Sequence, residues 1–329
     1  MSATPDIDAL ARDLIAGDRR ALARAITLIE STRPDHRVEA EALIERALPH
    51  AGKSVRMGIT GTPGVGKSTF IESFGLHLIA QGRKVAVLAV DPSSKRTGGS
   101  ILGDKTRMEH LSRDTRAFIR PSPTAGTLGG VNRRTREAML LCEAAGFDAI
   151  VVETVGVGQS ETDVADMVDI FLLLLAPAGG DDLQGIKKGI VELADVIVIN
   201  KADGDLKPAA QRAVSDYRNA LRLIRPPAPD WTAEVMSISA LEGNGIADVW
   251  STVERYVGIM AGNGAHAARR AEQSRAALWR EIGDGLLDAF KEDAATAARL
   301  AEVEAKVMKG KTSPAVAARG LLGKFLGVG

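Results

Sequence analysis

Gly61-Thr62-Pro63-Gly64-Val65-Gly66-Lys67-Ser68, followed by Thr69, is the stretch on which the fold turns. It fits the pattern of a glycine, four residues, then Gly-Lys-Ser, set between an apolar run that ends at Thr60 and a segment with helical periodicity. The glycines admit positive φ and close backbone approach, so successive N–H groups can turn inward on a polyphosphate at the positive end of the following helix. In such a loop Lys67 reaches the β and γ phosphates and the Ser68 hydroxyl ligates a magnesium ion. A chance glycine-rich turn would not need strand, loop and helix in this order.

Outward from the loop, short β-branched runs alternate with helical segments from Val55 to about Gly262. The runs are Val55 to Thr60, Lys84 to Val90, Ala117 to Arg120, Ala149 to Glu153, Val168 to Leu175, Val196 to Asn200 and Val235 to Ser239. This alternation predicts an α/β fold with a mainly parallel sheet flanked by helices. Ile170-Phe171-Leu172-Leu173-Leu174-Leu175 is apolar throughout, as a central parallel strand with no solvated face requires. Three zones are expected: an N-terminal helical extension (1–54), the P-loop domain (55–262) and a C-terminal helical arm (263–329). In the first, Leu22, Ile26 and Ile29 mark one helical face and Val38, Ala42 and Leu43 another. In the last, Leu278, Ile282, Leu286, Leu287 and Phe290 recur at helical spacing.

Asn200-Lys201-Ala202-Asp203 follows the run Val196 to Ile199, at the carboxyl edge where open α/β sheets bind ligands. Guanine offers two donors, its ring N–H and exocyclic amine, to one carboxylate; adenine presents an acceptor and no amine there. Asp203 therefore favours GTP over ATP, and a site built on such bonds can discriminate by about four orders of magnitude. Ser239-Ala240-Leu241, at the next strand end, places backbone N–H groups for the guanine carbonyl oxygen.

Three acids have plausible metal roles. Asp91 and Glu153 end apolar strands, and Asp104 follows the glycine-containing segment 92–103; oxygens of this kind suit a hard divalent cation, Mg2+. Glu153-Thr154-Val155-Gly156 resembles the Asp-x-x-Gly switch whose glycine N–H senses the γ phosphate, with Glu in place of Asp. Lys67, Glu153 and Gly156 are thus the expected catalytic set. Val157 stands where many GTPases carry the glutamine that orients the attacking water, and neither Gln159 nor Glu161 can be placed by sequence. Slow unaided hydrolysis is expected. The glycine- and charge-rich stretch Pro177 to Lys188 reads as a further switch or as a plain exposed connection.

Composition bounds the alternatives. The 329 residues are 45% hydrophobic and 26% charged with a formal net charge of zero, which argues against a disordered chain and against a basic nucleic-acid-binding face. The single cysteine, Cys142, gives no disulfide framework or thiolate metal cage, and the longest apolar runs are too short to span a bilayer. A soluble cytoplasmic protein without nucleic-acid or membrane partners is expected.

With these segments assembled, the chain resembles the MeaB/ArgK/MMAA family of GTPase chaperones for adenosylcobalamin-dependent methylmalonyl-CoA mutase. The likeness is carried by Gly61 to Thr69, Val90-Asp91-Pro92-Ser93-Ser94, Gly103-Asp104-Lys105-Thr106-Arg107-Met108, Val152 to Glu161 and Asn200 to Asp203. It covers nearly the whole chain, and Glu153 is the family's own form of the switch. The resemblance implies that Ser68, Asp91, Asp104 and Glu153 form the magnesium neighbourhood and that 177–188 reports nucleotide state to the mutase. It also implies a C-terminal dimerisation arm, hence a homodimer, and coupling of GTP binding and hydrolysis to adenosylcobalamin delivery and to protection or reactivation of the mutase.

Two rivals share the nucleotide core. A metallochaperone GTPase needs soft ligands, and His36, His50, His77, His110, His266 and Cys142 are scattered. A small-molecule kinase needs a second substrate pocket, and no segment supplies one.

Overall fold

The computed structural model describes residues 6–90, 108–120, 128–154, 160–177, 188–223, 228 and 230–327. It forms two compact units, Met1–Gln273 and Ser274–Gly329.

The first unit is built on seven strands, β1 (Val55–Gly61), β2 (Val85–Val90), β3 (Ala117–Arg120), β4 (Ala149–Thr154), β5 (Ile170–Leu175), β6 (Val196–Ile199) and β7 (Glu234–Ser237). All pair in parallel in the order β3-β2-β4-β1-β5-β6-β7. Each lies within two residues of its expected run. Strands β2, β4, β5 and β6 are buried along their whole length, which explains why their sequences show no polar alternation.

Alternate side chains of each strand feed opposite faces. On one, Met57, Ile59, Val85, Val87, Val151, Leu172 and Val198 pack with Phe70, Phe74 and Leu78 of α4 (Lys67–Ala80). The same core holds Val249, Trp250 and Val253 of α10 (Ile246–Gly262). On the other, Leu88, Val90, Ile150 and Val152 share a core with α1 (Ile7–Ile15), α2 (Arg19–Glu30), α3 (Pro34–Ala47) and α6 (Leu128–Ala144). Towards β7 that face is completed by Ala210, Val214, Tyr217 and Leu221 of α9 (Lys207–Leu221). Of the shorter helices, α5 (Glu109–Arg113) adds Leu111 to the first core, while α7 (Ser160–Ala165) and α8 (Lys188–Leu193) pack against the second.

The N-terminal helices are continuous with this core. Leu22, Ile26 and Ile29 of α2 are buried as their spacing predicts, and Asp6 and Asp18 cap α1 and α2 by accepting backbone N–H bonds. On α3 the expectation needs correcting: Val38 is 69% exposed, and the inward stripe is Ala40, Leu43 and Ala47. Those three recur at i, i+3 and i+7, whereas Val38 lies well around the helix from Leu43.

At the amino edge of the sheet, polar groups tie strand starts to α6 and to the first turns of α11 (Ala265–Glu292). Asp169 accepts from the Arg56 amide at 2.8 Å and from the Arg270 guanidinium at 2.8 and 2.6 Å. Glu143 receives the Arg56 guanidinium at 2.9 and 2.7 Å and the Ser54 hydroxyl at 2.6 Å.

The second unit contains the rest of α11, α12 (Ala294–Met308) and α13 (Pro314–Phe325). Phe290 meets Phe325 edge to face at 5.4 Å. Among its described residues only Thr296 and Leu321 are buried, while Leu278, Trp279, Ile282, Leu286 and Leu287 are exposed.

Candidate functional site

Parallel pairing brings every strand's carboxyl end to one edge. Because β1 lies between β4 and β5, the chain leaves it in one direction to β2 and later crosses to β5 on the other side, opening the crevice where such sheets hold ligands. The glycine loop sits there. Gly61 ends β1 at φ 154°, and a Cβ on it would lie 2.4 Å from the Leu174 carbonyl oxygen. Gly66 precedes α4 at φ 94°, where a Cβ would come within 2.7 Å of the Asn200 side-chain nitrogen. Both positions therefore demand glycine for space as well as for torsion. Val65 is buried and anchors the loop, while Pro63, Gly64 and Thr69 are exposed and Thr62 and Ser68 partly so.

Lys67 opens α4, and its ammonium donates to the carbonyls of Gly61 at 2.6 Å and Thr62 at 3.3 Å. Burial lowers its pKa, against an opposing pull from the carboxylates of Glu153 and Glu161. An ammonium half out of water, between the orphan N–H groups of a helix start and a glycine loop, is complementary to a phosphate chain.

Glu153 is buried near the end of β4, paired in register with Ile59 on one side and Ala89 on the other. Next to it the Thr154 hydroxyl donates to the Thr60 hydroxyl at 2.8 Å, joining β4 to β1. The hydroxyl of Ser68 and the carboxylate of Glu153 are hard oxygen donors. No group of three His, Cys, Asp or Glu gathers as a metal site among the described residues. A Mg2+ ion fits such a set, since it takes one or two protein oxygens together with phosphate and water. Asp91, Asp104, Gly156 and the stretch 178–187 lie outside the described residues.

The base-recognition candidates lie together at this edge. The side-chain amide of Asn200 donates to the Val65 carbonyl at 2.9 Å, and its oxygen accepts from the Ala240 amide at 3.0 Å. Lys201 adopts φ 59°, an uncommon left-handed setting that turns the chain between Asn200 and Asp203. The Ser239 hydroxyl donates to Asp203 at 2.6 Å, leaving the carboxylate's remaining acceptor capacity for a ligand. Leu241 is 80% exposed beside it.

Two residues take positions that the motifs alone do not reveal. Ser73 donates to the Ala240 carbonyl at 2.6 Å, so α4 also holds the end of β7; a serine inside a helix carries no signal of that contact. Glu161 is buried at the start of α7 and acts electrostatically on Lys67.

This edge agrees with the likeness to known proteins. The family model described as methylmalonyl-CoA mutase-associated GTPase MeaB matches residues 22–295. A Caulobacter vibrioides protein named as a GTPase is 59% identical over 97% of this chain and 98% of its own length. The mitochondrial methylmalonic aciduria type A homolog of Mus musculus is 50% identical over 97% of this chain and 79% of its own. The crystal structure of LAO/AO transport system kinase superposes with a TM-score of 0.78 at 38% identity, covering 99% of both chains. The fold is that of P-loop nucleotide hydrolases, and the chain belongs to the MeaB family of GTPases.

Proposed function

We propose that this GTPase couples its nucleotide state to methylmalonyl-CoA mutase, gating delivery of adenosylcobalamin to that enzyme and protecting or reactivating it. The observation that carries this reading is the match over residues 22–295 to a family described by its association with the mutase. The mouse relative's name, from methylmalonic aciduria, supports the same metabolic setting.

At the site, residues 61–69 hold the phosphates, with Lys67 neutralising charge as it develops between the β and γ positions. Asn200, Lys201 and Asp203 with Ser239, Ala240 and Leu241 hold the guanine. Ser68 and Glu153, with Asp91 and Asp104 from the sequence, hold Mg2+, which offsets phosphate charge when bound. Gly156 senses the γ phosphate. A GTPase regulates only if its partner binds the nucleotide states with different affinity, so the switch segments are where the mutase must read them.

The exposed apolar side chains of α11 support a homodimer through the C-terminal arm, since Leu278, Ile282 and Leu286 form one stripe that a second copy can cover. No described helix is long and apolar enough to cross a membrane. A cytoplasmic location is our reading from composition.

The test is GTP hydrolysis by the purified protein with magnesium, with and without an equimolar adenosylcobalamin-dependent mutase, beside an ATP control. GTP-selective turnover that rises with the mutase is expected. Turnover indifferent to the mutase overturns the partner assignment and keeps the GTPase. The name of the LAO/AO structure raises a second reading, phosphoryl transfer to a small molecule. Phosphate released in equal amount to GDP while candidate small-molecule acceptors are present removes it.

A further inference from the structure

The turn that follows β7 at the nucleotide edge has already committed most of its backbone donors. The Ser239 N–H donates to the Asn244 carbonyl at 3.0 Å, the Ala240 N–H to the Asn200 side-chain oxygen at 3.0 Å and the Glu242 N–H to the Ser239 hydroxyl at 3.1 Å. Between them the Leu241 N–H has no hydrogen-bond partner among the described residues. Leu241 is 80% exposed, so a ligand can reach it, whereas Ala240 is 2% exposed. Of the amides at this strand end that suit the guanine carbonyl oxygen, Leu241 is therefore the one left to meet it.

A serine inside α4 fixes where that donor points. The Ser73 hydroxyl donates to the Ala240 carbonyl at 2.6 Å. The described residues hold no cis peptide, and in a planar trans peptide the C=O and the next N–H point in opposite directions. With the Ala240 carbonyl drawn onto α4, the Leu241 N–H faces away from that helix. Asn200 holds the amide on the near side of Ala240 and Ser73 the carbonyl on the far side, so the peptide between Ala240 and Leu241 cannot turn without breaking a bond. Without Ser73 the buried Ala240 carbonyl is unpaired, and the peptide gains by rotating to satisfy it.

The chemistry of the base gives this donor a use. Guanine presents a carbonyl oxygen at C6, where adenine presents an amine that would meet the N–H donor to donor. The contact therefore reads a different edge from Asp203, which faces the ring N–H and the exocyclic amine. We propose that Ser73 is a positioning residue for base recognition, which by holding the Ala240 carbonyl aims the Leu241 N–H at the guanine carbonyl oxygen. The proposal rests on the assignment of this strand end to the guanine and is independent of the mutase. Because α4 begins at Lys67, one helix sets a phosphate contact and a base contact together.

The test is competition of three nucleotides against one fluorescent GDP analogue on the nucleotide-free full chain. Inosine diphosphate lacks only the exocyclic amine that Asp203 faces. The 6-thio analogue of GDP keeps both donors for Asp203 and replaces the carbonyl oxygen with sulfur, a weaker acceptor. Wild type should prefer GDP over the thio analogue about tenfold, the scale of one hydrogen bond. Ser73→Ala should bind GDP about fivefold more weakly and bring that preference below about threefold, while the preference for GDP over inosine diphosphate stays within about twofold of wild type. Ser73→Thr keeps the hydroxyl and should restore the wild-type values. Ser73→Cys, a weak donor, should fall between the two and carries the test if Ser73→Ala does not fold. In the leucine-15N-labelled wild type, the Leu241 amide proton should move downfield with GDP and less with the thio analogue. A wild type that does not prefer GDP over either analogue, or a Leu241 amide that GDP leaves unmoved, overturns the base contact and the role of Ser73 with it. A wild-type preference over the thio analogue that survives in Ser73→Ala, or an equal loss for all three nucleotides, overturns the role of Ser73 alone.

Discussion

The side chain of Asn200 donates to the Val65 carbonyl at 2.9 Å, so a residue from the end of β6 closes the glycine loop that begins at the end of β1. Its oxygen takes the Ala240 amide at 3.0 Å, and all three groups are buried. One amide thus fixes phosphate-side and base-side elements to each other. Asn200→Ala leaves a buried carbonyl and a buried N–H unpaired, each costing about 1–3 kcal/mol. The expected outcome is a stability loss of about 3 kcal/mol by urea denaturation, with weaker binding of a fluorescent GDP analogue. Unchanged stability and affinity together would show that the loop is held in some other way.

Asp203 is held by the Ser239 hydroxyl at 2.6 Å, which orients its carboxylate without using all its acceptor sites. Asp203→Asn turns one acceptor into a donor, opposite the two donors of guanine. GDP affinity should fall by about 100-fold or more, while xanthosine diphosphate, which carries an oxygen in place of the exocyclic amine, should gain. Competition of both nucleotides against one labelled probe measures the exchange. A parallel loss for both would remove Asp203 from base recognition.

The sheet, the glycine loop and the placing of Asn200 to Asp203 at a strand end were legible because they rest on local signals. Apolar runs define β1 to β7, Gly66 has to be glycine at φ 94°, and Asn200 follows a strand. What sequence did not disclose is tertiary. Val38 was read as an inward apolar residue, yet α3 turns Ala40, Leu43 and Ala47 to the core. Small alanines can fill a close helix contact, and no hydropathy pattern ranks them above valine. The Ser73 contact with Ala240 joins residues 167 positions apart, and the acids Asp169 and Asp195 look in sequence like ordinary turn carboxylates before strands. Their burial arises only when helices α10 and α11 cover the amino edge.

Lys67 illustrates a side chain whose folded environment works against its own charge. Burial lowers its pKa, and it is held by the Gly61 and Thr62 carbonyls. Lys67→Ala removes a partly desolvated ammonium and two hydrogen bonds together, so the net stability change should stay within about 1 kcal/mol. GTP turnover should instead fall by about 100-fold or more, the scale for losing one preorganised charge at a phosphoryl transfer site. Thermal unfolding and single-turnover hydrolysis of the same preparation separate the two. A variant that unfolds but turns over normally when folded would make Lys67 a structural residue.

Asp169 and Asp195 begin neighbouring strands and should respond to pH with opposite sign. For Asp169, burial alone would raise the pKa, but hydrogen bonds from Arg270 and His266, the Arg270 charge and the Arg56 amide leave it below the ordinary value. Its contribution is present above the unfolded pKa of about 4 and is lost as pH falls below that. For Asp195 burial prevails and the pKa rises to about 6. That carboxyl favours the fold when protonated, and the advantage disappears as pH climbs from about 4 through 6. Asp169→Asn should therefore cost about 3 kcal/mol at pH 7, where Arg270 loses its buried partner, with the gap to wild type closing below about pH 4. Asp195→Asn should be stabilising above pH 6, by an amount on the order of 2 kcal/mol, and nearly neutral at pH 4. Urea denaturation of both variants and wild type from pH 2 to 8 reads the two slopes, that of Asp169 below pH 4 and that of Asp195 above it. If Asp195→Asn loses stability most at high pH, Asp195 is satisfied when ionised, and its buried Oδ1 is not a source of strain.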